Sequence, residues 1–168
     1  MRRYRLSAVR FGLLLFALSI CGSTSPVFAQ DEEPSEQTAE PPSFLVIANV
    51  ANPTESLSAK SLSRMFLKKT KRWDKDTWDE NVKIVPFDLT EKSPIRKDFT
   101  RQVHDKSTGA IKSYWQREIF SGRDSSPEEV ETDEEMMELV ANEKGAVGYV
   151  SGTAELPDTL KVIRIAED

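Results

Sequence analysis

The residues best suited to chemistry in this sequence cluster at the start of one predicted helix. Ser93 is followed by Pro94, and this pair favours a helix start because serine caps free N–H groups and proline fits the first helical position. The N-terminal end of a helix carries a partial positive charge that attracts anions. Thr90, Lys92 and Arg96 are close enough in sequence to face an anion there. The candidate ligand-binding residues are therefore Thr90, Lys92, Ser93 and Arg96.

A purely structural interpretation of the same residues stays open. Ser93 could serve only as a helix cap, and Lys92 could be only a solvated surface charge. Each residue then has a sufficient reason for its position without any ligand.

Few other residues could carry catalytic or metal chemistry. The chain has one cysteine, Cys21, and one histidine, His104, whereas metal sites and Cys-His catalysis need several such residues together. The acidic run at residues 128–135 lacks the alternation and the glycine of a calcium loop. Neither Gly-x-Ser-x-Gly nor His-Glu-x-x-His occurs. We therefore expect no enzyme, no metal ligand and no cofactor.

The composition is that of one ordinary soluble domain with additions at its N-terminus. The chain has 168 residues, of which 38% are hydrophobic and 30% charged, and its formal net charge is -5. This acidic balance argues against nucleic-acid binding, which depends on Lys and Arg at phosphates. A basic partner protein or a small solute stays open as a ligand.

Residues 1–29 have the features of a secretory signal peptide. Four arginines and no acid occupy the first ten positions, an apolar run of about 11 residues follows, and a small-residue stretch ends at Ala29. The apolar run is shorter than the roughly 20 residues of a spanning helix. Ile20 before Cys21 disfavours lipoprotein processing. We expect cleavage after Ala29 and a mature protein that is periplasmic or secreted.

Residues 30–43 form the second addition. They contain five acids and three prolines but no side chain large enough to build a core. Such a composition predicts a disordered acidic linker, because little apolar burial could offset the entropy of ordering it. Residues 44–168 then form the single folded domain.

Strands and helices alternate within that domain. Apolar runs with the length of buried strands occur at residues 44–50, 82–87, 146–150 and 160–165. We expect the first two strands, which are joined by a helix, to form a parallel pair with a right-handed crossover. The pattern predicts an α/β layer fold with about four strands and four helices.

Sequence signals also place the four helices. Capping residues precede three of them, at Ser58, Ser93 and Thr132. Thr132 and Glu135 have the spacing of a capping box, and Gly145 is placed to end the helix that follows. The remaining helix is expected to present one apolar face, made of Ile111, Tyr114, Trp115 and Ile119.

A basic loop at residues 68–72 precedes Trp73. Clustered cations beside an aromatic residue could bind an acidic partner or lipid headgroups. A solvated loop around a packed tryptophan is the simpler interpretation, and both stay open.

Four short segments follow one another in an order that is typical of a known family. They are Asn52-Pro-Thr-Glu-Ser-Leu-Ser, Leu62-Ser-Arg-Met-Phe-Leu with Trp73, Tyr114-Trp115 with Phe120-Ser-Gly122, and Gly145-Ala-Val-Gly-Tyr149. Together they resemble the phosphate-type periplasmic solute-binding proteins of ABC transporters, and more closely the short, single-lobe relatives of those receptors. The resemblance implies an α/β fold: one lobe of a type II binding protein, with a mixed or mainly parallel sheet flanked by helices.

The resemblance further implies a small oxyanion, such as phosphate, as the ligand. The family holds phosphate with hydroxyls, helix N-terminal N–H groups and an arginine, and the motif in this lobe is a strand, an Arg and then Ser-Gly-Thr. Ser93 matches the serine, but Pro94 and Ile95 replace the glycine and threonine, and no arginine lies between Phe87 and Lys92. Losing an N–H donor, a hydroxyl and a charged clamp should weaken phosphate binding.

Two functions from different classes therefore stay open. The first is an exported solute-binding domain for a small oxyanion that works with the membrane subunits of an ABC transporter. The second is an interaction module that kept the fold, lost the ligand and meets another envelope protein. A second copy of the chain could also replace the missing lobe, which would make a homodimer.

Overall fold

The structure is a computed structural model that describes residues 43–74, residue 78 and residues 81–166. The expected signal peptide and nearly all of the expected linker lie outside the described residues. In chain order the elements are β1 (Phe44–Asn49), β2 (Ser56–Ser58), α1 (Ala59–Phe66), β3 (Val85–Leu89), α2 (Pro94–His104), α3 (Thr108–Phe120), β4 (Glu128–Val130), α4 (Asp133–Asn142), β5 (Ala146–Ser151) and β6 (Leu160–Ala166). No helix in these ranges is long and apolar enough to cross a membrane.

The described strands form one mixed sheet in the order β2-β6-β1-β5-β3-β4. The central strand β1 is antiparallel to both β5 and β6. β3 is parallel to β5 and β4, and β2 is parallel to β6. The predicted fold class, a mixed α/β sheet flanked by helices, is confirmed.

The expected parallel pair between the first two predicted strands is wrong. The second of them forms β3, and β5 lies between β1 and β3. Both edges of β1 are occupied by strands from the end of the chain, since Ile47 is opposite Gly148 of β5 and Val162 of β6. Local patterns specify a strand but not its partner, and the crossover rule holds only for parallel strands that belong to one connected β-α-β unit.

The strands β2 and β4 are absent from the sequence-based prediction. Each has three residues and lies at an edge of the sheet. So short a strand shows no usable alternation, and in β4 both Glu128 and Glu129 are exposed. The sheet therefore has six described strands instead of about four.

Helices cover both faces of the sheet. On β5, a Cβ atom added to Gly148 would lie 2.3 Å from Met136 Sδ, so this position faces α4. The ring of the next residue, Tyr149, stacks on Phe99 of α2 with centroids 3.9 Å apart and lies 5.8 Å from Phe66 of α1. Successive strand residues point to opposite faces. Hence α4 covers one face, and α1 with α2 covers the other.

The three predicted helix caps are confirmed. The hydroxyl of Ser58 accepts a hydrogen bond from Ser61 N at 3.2 Å, and Ser93 caps α2 in the same way. Thr132 caps α4 by accepting from Glu135 N at 3.1 Å. The reciprocal bond of the expected capping box differs, because the Glu135 carboxylate accepts from Glu131 N at 3.0 Å, one residue before the cap.

The apolar face of α3 is shorter than expected. Ile111 and Trp115 are buried in a small separate cluster with Leu67, and Tyr114 packs against it. Ile119 is 53% exposed, so its predicted place on the buried face is wrong. The helix packs against α2, and its last turn extends beyond the cluster.

Candidate anion-binding site at the start of helix α2

The turn before α2 brings three of the four predicted site residues together. Ser93 has extended backbone angles, its N–H donates to Thr90 O at 3.0 Å, and its hydroxyl accepts from Arg96 N at 3.4 Å. Thr90 follows β3 directly, and its own N–H donates to Val130 O at 3.0 Å. Lys92 is exposed and forms no ion pair with any described residue.

The fourth predicted residue, Arg96, points into the protein. It is 6% exposed, and its Nη2 lies 3.0 Å from Asp88 Oδ2. Its Nη1 lies 2.7 Å from Glu129 Oε1 and also donates to the carbonyl oxygen of Leu89. The guanidinium therefore joins α2 to the ends of β3 and β4 through two carboxylates.

Asp88 is also bonded to Tyr149, the last residue of the Gly-Ala-Val-Gly-Tyr segment. The Tyr149 hydroxyl donates to the Asp88 carboxylate and accepts from Leu89 N at 3.3 Å. Burial raises the pKa of the Asp88 carboxyl above its ordinary value, although the Arg96 guanidinium and the Tyr149 hydroxyl both favour its ionised form. Burial and the neighbouring Asp88 also raise the pKa of the Tyr149 phenol, so the hydroxyl remains a donor.

The two carboxylates around Arg96 differ in their access to solvent. The Asp88 side chain is 10% exposed, whereas the Glu129 side chain is 41% exposed. Burial disfavours the charged guanidinium, but Asp88 and Glu129 outweigh it and raise the pKa of Arg96. Arg96 therefore stays charged, with a buried anion on one side and an accessible anion on the other.

Asp88, Glu129 and Tyr149 are not among the predicted site residues. One signal could have found the first of them, because Asp88 interrupts the apolar run of β3 and a buried carboxylate needs a partner. Glu129 had no such signal, since it belongs to a run of acids that looks like a solvated surface.

The basic loop fits the simpler of its two interpretations. Trp73 is buried, and its Nε1 donates to Gly145 O at 3.0 Å. Its ring centroid lies 6.1 Å from that of Trp78. The tryptophan thus anchors the loop to the domain. In the part of the chain that the structure describes, no cluster of three or more His, Cys, Asp or Glu residues could hold a metal ion.

Solved structures with a similar fold include proteins that are named as phosphate receptors of ABC transporters. An ABC-type phosphate transport receptor from Vibrio cholerae matches with a TM-score of 0.54 and 20% identity over 72% of this chain and 45% of that one. A putative phosphate ABC transporter substrate-binding protein with bound phosphate, from Clostridium perfringens, has a TM-score of 0.57 and 17% identity over 73% and 44%. PstS from Borrelia burgdorferi has a TM-score of 0.53 and 10% identity over 73% and 47%. No family model and no curated protein matches the sequence.

The chain therefore has the fold of phosphate-type ABC substrate-binding proteins, and the resemblance inferred from the sequence is confirmed at the level of the fold. It spans less than half the length of these matched structures. The names of the Vibrio cholerae and Clostridium perfringens proteins describe a transport receptor and a transporter substrate-binding protein.

Proposed function

We propose that this chain is an exported, one-lobe solute-binding domain that binds a small oxyanion such as phosphate weakly at the start of α2. The supporting observation is the contact between Arg96 Nη1 and Glu129 Oε1 at 2.7 Å, in which the glutamate is 41% exposed. Its carboxylate occupies a position at the guanidinium that a solute oxyanion could take instead. Asp88, on the buried side, holds Arg96 in place for either anion.

The other predicted residues complete such a site. An oxyanion that displaces Glu129 would approach the positive end of α2 at Ser93, the hydroxyl of Thr90 and the ammonium group of Lys92. The cost of displacing the bonded Glu129 carboxylate offsets part of the free energy of oxyanion binding. A single lobe also leaves the ion partly hydrated. We therefore expect a phosphate dissociation constant no tighter than roughly 100 μM, or about -5.5 kcal/mol.

The proposal includes an exported location and a transport context. The arginine-rich start and the short apolar run of residues 1–29 support export, and the matched receptors support the membrane subunits of an ABC transporter as partners. The intact mass of the exported protein tests the first point. A chain that begins at Gln30 supports it, whereas an uncleaved chain or one that begins at a lipidated Cys21 contradicts it.

Phosphate-dependent stability, compared between two variants, tests the binding site. In about 10 mM phosphate, a dissociation constant of roughly 100 μM adds about 2.7 kcal/mol and raises Tm by about 10 °C relative to potassium chloride of equal ionic strength. Glu129→Gln should bind phosphate several-fold more tightly, because it removes the competing carboxylate. Glu128→Gln is the matched control, since it removes the same charge from the preceding, exposed position of β4.

A double variant, Lys92→Ala with Ser93→Ala, should abolish the shift. If neither the wild-type protein nor Glu129→Gln responds to phosphate while both remain folded, the solute-binding proposal is wrong. Equal gains in Glu128→Gln and Glu129→Gln would mean that general electrostatics, and not access to Arg96, controls the response.

One observation favours the second candidate, an envelope interaction module. Two large apolar side chains at the end of α3 are exposed, Ile119 by 53% and Phe120 by 90%. Adjacent exposed apolar groups are typical of protein contacts. The same side chains could instead be covered by a second copy of the chain, which is the separate homodimer proposal. Light scattering of the wild-type protein and of Phe120→Ser over a range of concentrations tests this second proposal. A wild-type dimer that the substitution dissociates supports the homodimer, and a monomer at every concentration excludes it.

A further inference from the structure

A cavity lies between the C-terminal end of α1 and the helix α3. Its volume is about 340 Å³, within the range of small-molecule pockets. Lys106, on its rim, follows the C-terminal end of α2, whereas the candidate oxyanion site lies at the N-terminal end of that helix. The 11 residues of α2 separate the two places by about 16 Å.

The floor of this cavity is apolar. Leu67 is 7% exposed and Ile111 4%, and both belong to the small cluster that also contains Trp115. Tyr114 forms part of the wall, and its hydroxyl donates to Leu67 O at 3.1 Å. This bond orients the ring, so the apolar surface is preformed.

The rim of the cavity is cationic. Lys69, Lys106 and Arg117 line it, and no carboxylate from the part of the chain that the structure describes does. Among the described residues, none of the three has an ion-pair partner. By contrast, Lys112 on the same helix as Arg117 lies 3.1 Å from Glu91. Lys69 Nζ lies 5.4 Å from the centroid of the Tyr114 ring, so its contact is with an aromatic face and not with an anion. Three cations without a carboxylate partner around one cavity are unexpected in a chain with 28 acidic and 23 basic residues.

We propose that this cavity binds a small organic anion that carries an apolar group, such as a medium-chain carboxylate. The anionic group would contact Lys69, Lys106 and Arg117, and the apolar group would cover Leu67 and Ile111. An inorganic anion would leave the floor unused, and a neutral apolar molecule would leave the cations without partners. The proposal does not depend on the oxyanion site at α2.

Calorimetric titration with octanoate tests this proposal. Octanoate should bind, whereas acetate, which lacks the chain, and octanol, which lacks the charge, should each bind roughly tenfold more weakly or worse. The double variant Lys106→Gln with Arg117→Gln should weaken octanoate binding roughly a hundredfold, since each charged hydrogen bond contributes about a factor of ten. All three cations are exposed, so these substitutions should leave the fold intact.

Two controls separate this site from the other features of the molecule. Lys112→Gln removes a cation from α3 outside the cavity and should leave octanoate affinity unchanged. The Lys92→Ala and Ser93→Ala variant should also bind octanoate normally, whatever its response to phosphate. The proposal is wrong if octanoate does not bind, or if the protein binds only to anionic lipid vesicles. It is also wrong if Lys112→Gln loses as much octanoate affinity as the Lys106→Gln and Arg117→Gln variant.

Discussion

Gly145 and Lys83 approach so closely that no side chain fits between them, since a Cβ atom on Gly145 would lie 2.0 Å from the Lys83 carbonyl oxygen. The Gly145 carbonyl oxygen accepts hydrogen bonds from Trp73 Nε1 at 3.0 Å and from Val85 N at 3.1 Å. One glycine thus joins the start of β5 to the start of β3 and to the tryptophan loop.

This contact corrects the role that the sequence suggested for Gly145. The helix α4 ends at Asn142, and its C-cap is Glu143 in an extended conformation. Gly145 therefore does not end the helix. A glycine is required there because any side chain would collide with the backbone of the neighbouring segment.

Gly145→Ala should destabilise the domain by more than about 2 kcal/mol, because a backbone segment has to move to admit one methyl group. Urea unfolding measures the loss. Gly109→Ala is the control, since it lies in the first turn of α3 with its nearest neighbour, Ser107 Oγ, at 4.0 Å. That variant should be neutral or gain about 0.5 kcal/mol from helix propensity. Similar losses in both variants would contradict the proposed backbone contact.

Tyr149→Phe should cost roughly 2 kcal/mol, because it removes a donor from a buried carboxylate while preserving the stacked ring. Tyr114→Phe removes a hydroxyl that donates to Leu67 O at a partly buried position, so its loss should be below about 1 kcal/mol. Urea unfolding of both variants provides the comparison. An equal or larger loss for Tyr114→Phe would show that the Asp88 contact contributes little.

His104 should make stability fall as the pH decreases. It is buried, its Nδ1 lies 2.9 Å from Ser63 Oγ, and burial, followed by the charges of Arg96 and Lys106, lowers its pKa from 6.5 to about 4. The folded protein therefore prefers the neutral ring. The neutral ring contributes fully to the free energy of unfolding above pH 6.5, the pKa of the histidine in the unfolded state. This contribution declines as the pH falls towards 4.

The expected loss through His104 between pH 7 and pH 5 is about 2 kcal/mol. Unfolding curves of the wild-type protein and of His104→Gln over this interval measure it. The difference between the two curves isolates the histidine, because the raised pKa of Asp88 affects both proteins. Parallel curves would mean that His104 is protonated at no cost in the folded state.

The variant Lys68→Gly should be more stable than the variant Lys68→Ala. Lys68 has a positive φ of 51° directly after the C-cap Leu67, its N–H donates to Met65 O, and Lys69 N–H donates to Arg64 O. This is the pattern of a Schellman motif, whose left-handed residue is usually glycine. Both substitutions remove the amine, so Lys68→Gly should exceed Lys68→Ala in stability by about 1 kcal/mol.

Lys60 provides the control for Lys68 because it lies inside α1, where glycine is unfavourable. Lys60→Gly should be less stable than Lys60→Ala by about 1 kcal/mol, the opposite order. Thermal or urea unfolding of the four variants gives both differences. The same order at both positions would show that backbone conformation does not determine the result at Lys68.

The sequence by itself determined the features that depend on residues a few positions apart. Ser58, Ser93 and Thr132 cap their helices as predicted, since each hydroxyl accepts from an N–H three residues later. The strands β1 and β5 were predictable for a similar reason, because a continuous apolar run of that length indicates a strand covered on both faces. These local signals were sufficient for the α/β class and for placing Thr90, Lys92 and Ser93 in one turn.

The tertiary structure alone decided which strands pair and where Arg96 points. Arg96 meets Glu129 across 33 positions, and Tyr149 meets Asp88 across 61, in contacts that no local pattern encodes. The order of the sheet likewise depends on β5 and β6, which enclose β1 from the far end of the chain. Whether a charge faces solvent or a buried partner is set by this packing, because the cost of an unpaired buried charge appears only once the segments have met.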